Sequence, residues 1–190
     1  DGFKTDHGVV LALEVDTVTV EDETAIDAAL SAYEELSEAA KAKVTTEKAL
    51  LDNLLAKIEE LEADKEAADE VIGLIESLPS IEELTLGHKE AVEAARRAYE
   101  GLSTAQKALV AADVLEKLEA AEEKIADLEA EAEADNFKKA HKVALTLTVE
   151  TVTIEDREKV EAALGAYEEL SEAAKGNLTT EKALLDDLLA

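Results

Sequence analysis

Apolar residues fall at helical spacing over most of this chain. Ile26, Ala29, Leu30, Tyr33 and Leu36 are separated by 3, 1, 3 and 3 positions, which places them on one face of an α-helix. Val160, Ala163, Leu164, Tyr167 and Leu170 repeat the pattern. Each of these helices has a start signal. Thr19 precedes Asp22 by three positions, and Thr153 stands in the same relation to Asp156. A threonine there can serve the free amide groups of a first turn, while the carboxylate reaches back and suits the positive helix end. The corresponding Thr85 has His88 in place of the aspartate, which predicts a weaker cap. A short turn of helix follows at SEAAKAKV. Thr45 or Thr46 then caps a further helix with Glu47 in its first turn.

The segments ahead of these helices read less clearly. His7 to Val20 is HGVVLALEVDTVTV, and 141–154 is HKVALTLTVETVTI. Val143, Leu145, Leu147 and Val149 alternate and two are β-branched, as in a strand. A lone strand would lack a sheet partner in an otherwise helical unit. The related VIGLIESLPSIEELTL has Ile72, Ile75 and Leu78 at helical spacing. The reading is a helix of about 10–12 residues from Phe3 or Phe137 and then an extended loop, with the strand left open as the alternative.

The third helix has no stop signal before Pro79. Leu51, Leu54, Ile58, Leu61, Lys65, Ala68, Ile72 and Ile75 alternate at spacings of 3 and 4, a heptad-like row interrupted in propensity only by Gly73. The pattern predicts one helix from Thr46 to about Ser77, roughly 48 Å long at 1.5 Å per residue. The stretch from Asp113 to Leu145 contains neither Gly nor Pro and reads the same way.

These patterns recur because the chain copies itself. Residues 3–56 align with 137–190 without a gap at an offset of 134, and about two thirds of the positions are identical. AYEELSEAAK at 32–41 returns at 166–175. A diverged copy lies between, in which Leu84–Thr85–Leu86 matches Val18–Thr19–Val20 and Ala98–Tyr99 matches Ala32–Tyr33. Self-similarity of this kind marks a tandem array. The expected modules are 1–64, 65–134 and 135–190, the last with its third helix truncated, since the sequence stops inside a repeat. The expected fold is all-α: spectrin-like three-helix bundles in tandem, joined by continuous shared helices into an elongated rod.

Composition narrows the function classes. The formal charge is −28, divided about −12, −11 and −5 among the three modules. Such a surface repels phosphate backbones, so nucleic acid is not an expected partner, and no run of apolar residues is long enough for membrane insertion. There is no Cys, which removes disulfides, thiolate metal sites and cysteine nucleophiles.

The pattern LTL-x-x-K-x-x-V-x-x-A-x-x-A-Y-x-x-L-S-x-x-x-K-x-x-V, from Leu84 to Val110, resembles the three-helix repeats of Gram-positive surface-layer and other multimodular cell-surface proteins. The resemblance covers essentially the whole chain and rests on packing positions, not on a site. It implies an extracellular, cell-surface stalk or spacer whose helices run on between bundles. Some members hold cell-wall glycans through basic patches, and this chain has none.

Candidate chemistry is sparse. His7 and His141 occupy one slot in two copies, as packing residues do, and His88 has no second His or Cys nearby to complete a zinc set. The serines lack the G-x-S-x-G context and no Gly-rich phosphate loop is present. Acidic loops offer calcium candidates: Asp16 with Glu21 and Asp22, and Glu150 with Glu155 and Asp156. They lack the EF-hand order and its central Gly, and capping already accounts for Asp22 and Asp156. Arg96 replaces Leu30 and Leu164 on the core side of its helix. With Arg97 it is either an aliphatic stem with a snorkelling head paired to a Glu, or a partner site. The expectation is therefore a monomeric, non-catalytic structural segment without a cofactor, whose partners are neighbouring modules of the same polypeptide. The alternative is an adhesin-type module that recognises a host or cell-wall protein on a helix face.

Overall fold

The computed structural model describes Gly2–Ala190, and among these residues every regular element is helical. In chain order the α-helices are α1 (Gly2–Asp6), α2 (Glu23–Glu34), α3 (Glu38–Lys41), α4 (Thr45–Glu76), α5 (Lys89–Gly101) and α6 (Thr104–Leu109). Then come α7 (Ala112–Ala140), α8 (Lys142–Leu145), α9 (Arg157–Glu168), α10 (Glu172–Gly176) and α11 (Thr179–Leu189). Short 3-10 turns at Val20–Asp22, Leu86–His88 and Ile154–Asp156 lead directly into α2, α5 and α9. The chain divides into two compact units. One runs to Gly73 and takes in Tyr99–Ala111; the other comprises Leu74–Ala98 and Ala112–Ala190.

The first unit has a core of Val10, Val18, Ile26, Ala29, Leu51, Leu54 and Ile58. Ile26 and Ala29 come from α2, and the last three from α4. Ile26, Leu51, Leu54 and Ile58 are completely buried, and each contributes about 1.5–3 kcal/mol by leaving water. Phe3, Leu30 and Leu55 pack around them. The second unit holds a matching cluster of Ala134, Phe137, Ala144, Val160, Ala163, Leu178, Leu185 and Leu188. Its remaining buried residues include Val92 and Ala95 of α5 and Leu118, Ala121 and Ile125 of α7.

The capping signals take the geometry their sequence implies. Thr19 is extended, and the Asp22 carboxylate accepts from its N–H and its hydroxyl, both at 3.0 Å. Thr153 and Asp156 repeat this at 3.3 and 2.8 Å. The cap bond is kept where His88 stands in place of the aspartate. The His88 Nδ1 lies 3.1 Å from the Thr85 nitrogen, so the imidazole accepts the same backbone proton that the carboxylates accept elsewhere. An imidazole with its proton on Nε2 is a competent acceptor at Nδ1. Ser37, Ser103 and Ser171 cap the short helices α3, α6 and α10.

Three expectations change. The first segment is not one helix of ten or more residues. It is the five-residue α1, a turn, and a 3-10 turn at Val10–Ala12. At Gly8 an added Cβ would stand 3.2 Å from the Lys4 carbonyl oxygen, a close approach that glycine avoids. In the equivalent region α7 runs through Phe137, breaks at His141 and resumes as α8. The strand alternative fails, since no strand forms among the described residues. Second, neither Thr45 nor Thr46 stands ahead of its helix as the cap. Thr45 is already inside α4, and α11 begins after Leu178, which is fully buried and has no capping side chain. Burial of Leu178 sets that chain entry, and Thr179 and Thr180 fall in the first turn. Third, α4 spans Thr45–Glu76 as expected, but its buried row shifts register. It passes through Ala68, Val71 and Ile75, so Val71 replaces Ile72 and Lys65 points to solvent, paired with Asp69. The half-buried Asp64 takes the inward position and accepts a 2.9 Å hydrogen bond from the Gln106 amide.

Candidate functional site

The side chains with chemical potential gather in three settings: capping turns, an aromatic corner and inter-helix ion pairs. In the capping turns lie the calcium candidates. Asp22 is engaged by Thr19, and Asp156 by Thr153 and by the Lys159 ammonium at 2.8 Å. Asp16, Glu21, Glu150 and Glu155 are exposed. Among the described residues no group of three or more His, Cys, Asp or Glu converges as a metal ion would require. Lys159, and secondarily Thr153, hold the Asp156 carboxyl below the ordinary carboxylate range. The hydrogen bond from Lys4 does the same to Glu47. A general acid at neutral pH needs the opposite shift.

The aromatic corner occurs twice. Phe3 lies 5.0 Å from the His7 ring and meets Tyr33 edge-on at 6.3 Å. Phe137 lies 4.9 Å from His141 and meets Tyr167 edge-on at 6.1 Å. These are favourable aromatic distances and angles. Lys41 and Lys48 each hold an ammonium 5.5 Å from the Tyr33 centroid, and Lys182 stands 5.7 Å from that of Tyr167. Lys107 lies 5.6 Å from the Tyr99 centroid. The tyrosines are half-buried, so each ring closes the edge of its helix packing under a cation. His7 and His141 are likewise half-buried packing partners of phenylalanine.

Several ion pairs tie one helix to another, and others run along a single helix. Arg96 makes a two-pronged contact with Glu122, Nε to Oε1 at 2.6 Å and the terminal nitrogen to Oε2 at 2.5 Å. It clasps α5 to α7 at a half-buried position. Arg97 is 68% exposed and reaches Glu93 at 3.6 Å on its own helix. The structure thus separates the two arginines by role.

Sequence reasoning overlooked several contacts. Lys4 pairs with Glu47, and at the same offset of 134 Lys138 pairs with Glu181 at 3.1 Å. Retention of both partners in both copies was the available signal. Lys117 donates to the carbonyls of Glu76 and Leu78 at 2.8 and 3.0 Å, closing the C-terminal end of α4. Nothing in the sequence pairs those positions. Glu133 accepts from both the N–H and the hydroxyl of Ser171, tying α7 to α10.

The depressions in this surface are open and shallow. One of 480 Å³ lies between α7 and α10, lined by Ala126, Ala130, Glu133 and Ser171 among others. Another, of 360 Å³, lies beside the Lys138–Glu181 pair. In the first, the Ser171 hydroxyl and the Glu133 carboxylate are engaged with each other in the contact that ties α7 to α10. No helix among the described residues is long and apolar enough to cross a membrane. No family model matches the chain, and no curated protein or solved structure matches it.

Proposed function

We propose that the chain is a non-catalytic spacer, a run of spectrin-like three-helix modules within a larger cell-surface protein. The observation that carries this reading is α4. Its 32 residues bury Leu51, Leu54 and Ile58 in the core of one module and go on to bury Ala68, Val71 and Ile75. A helix seated in this way resists bending at a module boundary, as a stalk must, whereas a Gly/Ser linker does not. The ionisable side chains with defined contacts cap helices, pair along one helix or clasp two helices together, and the acidic surface keeps an extended protein soluble. The cell-surface setting rests on the sequence resemblance.

The test is a substitution at the helix midpoint. Asp64→Pro removes a backbone donor and drives its ring against the preceding turn, at a cost of about 3 kcal/mol or more. Asp64→Asn keeps the helix and serves as the control for the Gln106 contact. The spacer reading expects the maximum dimension in small-angle scattering to fall for the proline variant alone. Identical scattering from wild type and both variants would favour flexibly linked modules, and with them the adhesin-type alternative.

A further inference from the structure

The turns that lead into α2, α5 and α9 share one geometry but not one kind of acceptor. Ahead of α2 and α9 the backbone N–H of Thr19 or Thr153 donates to a carboxylate, that of Asp22 or Asp156. Ahead of α5 the Thr85 N–H donates to Nδ1 of His88 at 3.1 Å. An imidazole nitrogen accepts a hydrogen bond only while it carries no proton, so this contact needs the neutral ring with its hydrogen on Nε2. Protonation fills Nδ1 and sets a donor against a donor. The Thr85 hydroxyl, 3.3 Å from Nδ1, can receive the new N–H, but the Thr85 amide loses its acceptor. The added charge also falls at the positive end of α5, where a cation is unfavourable.

Little else holds this turn. Leu84 before it is 4% exposed and Val92 beyond it 2%, whereas Leu86 within it is 42% exposed. The turn packs on α7. The charged groups along the seam of α5 and α7 are Glu122, paired with Arg96, Glu129, paired with Lys89, and Glu93, which meets Lys89 and Arg97. In sequence His88 is followed by Lys89 and Glu90 and preceded by Glu82 and Glu83, the latter accepting from Ser80. Carboxylates and ammonium groups keep their charge between about pH 5 and 8, and imidazole is the side chain that changes it there.

We infer that His88 is a pH-sensitive cap, which closes the start of α5 at neutral pH and releases it on mild acidification, while the aspartate-capped turns of α2 and α9 stay closed. The release is confined to the turn between the buried anchors Leu84 and Val92. The inference rests on cap geometry and stands independently of the spacer reading.

The experiment compares the full chain with its His88→Asn variant. The asparagine carboxamide oxygen can accept the Thr85 N–H and does not titrate. His7 and His141 are present in both proteins, so their protonation cancels. Urea unfolding at pH 7.5 and pH 5.0, in salt that screens the acidic surface, gives the unfolding constant of each protein. The ratio of the wild-type constant to that of His88→Asn should rise at least about fivefold on acidification, the factor that corresponds to one lost cap. A ratio that does not change overturns the inference. Nitrogen-15 spectra of the wild-type imidazoles give a second reading that needs no variant. They should show His88 as the Nε2–H tautomer at pH 7.5, with the Thr85 amide proton shifting as that ring titrates. A His88 ring with its proton on Nδ1 at pH 7.5, or a Thr85 amide that does not follow the titration, overturns the inference as well.

Discussion

Arg96 and Glu122 offer the sharpest test of how this chain exchanges one kind of packing for another. In the first copy the equivalent positions are Leu30 and Leu55, both packed around the core, and in the third they are Leu164 and Leu189. The middle copy thus carries an ion pair where the other copies carry two leucines. Two unit charges about 4 Å apart attract by roughly 4 kcal/mol at an effective dielectric near 20. The side chains are 24% and 34% exposed, so desolvation and the ordering of two long side chains offset much of this. A net coupling of about 1–2 kcal/mol remains. Arg96→Leu alone leaves the Glu122 carboxylate half-buried without its fork and should cost about 1–2 kcal/mol. Glu122→Leu alone should cost a similar amount. The double variant restores the leucine pair of the other copies and should be at least as stable as wild type, with a gain of up to about 2 kcal/mol. Urea unfolding of the four proteins, followed by far-ultraviolet circular dichroism, gives the cycle, provided the slopes agree. Additive single effects, with coupling below about 0.5 kcal/mol, would refute the reasoning. So would a double variant less stable than wild type by more than about 1 kcal/mol.

Other expectations follow from the caps and the aromatic corner. His88→Asp should preserve stability because a carboxylate accepts the Thr85 proton in the sister turns, whereas His88→Ala should cost about 1 kcal/mol in thermal or urea unfolding. Asp156 has a folded carboxyl pKa below its unfolded value near 3.8, so it stabilises the fold above that value. That contribution disappears as pH falls through the lower folded value, and the stability gap between wild type and Asp156→Asn should close in the same acidic window. Tyr167→Phe should be nearly neutral, because the hydroxyl makes only a 3.5 Å contact with the Lys175 carbonyl. Tyr167→Ala should cost about 2–3 kcal/mol through loss of the ring packed on Phe137, somewhat less than a fully buried aromatic. Millimolar calcium and chelator should give the same melting temperature at matched ionic strength, since the acids of the capping turns are exposed or already engaged.

Much of the helical architecture was legible because periodicity and burial agree. The α2 and α9 faces were read residue by residue, and Ile26, Ala29, Val160 and Ala163 are all buried. The length of α4 followed from the absence of any stop before Pro79. Its buried register was harder. Val71 and Ile72 are adjacent and equally apolar, and only the packed structure shows that the row uses Val71. The β-branched 143–154 segment was ambiguous because alternating valines and threonines suit a strand or a loop lying over a core. Its lack of a sheet partner was the better guide. The His88 contact was less legible, since residue type alone does not show that an imidazole nitrogen takes the Thr85 backbone proton. Clasps such as Arg96–Glu122 join residues 26 positions apart, and a sequence alone gives no distance for them.

The spacer proposal requires that helices run through successive modules and hold them extended. Small-angle scattering of the whole chain in dilute buffer of moderate salt tests it most directly. A compact chain of this length would have a radius of gyration near 16 Å. Three modules of about 25–30 Å set end to end give a rod of roughly 75–90 Å, from helix lengths at 1.5 Å per residue. The account predicts a radius of gyration well above about 20 Å and a rod-like distance distribution; a value near 16 Å would contradict it.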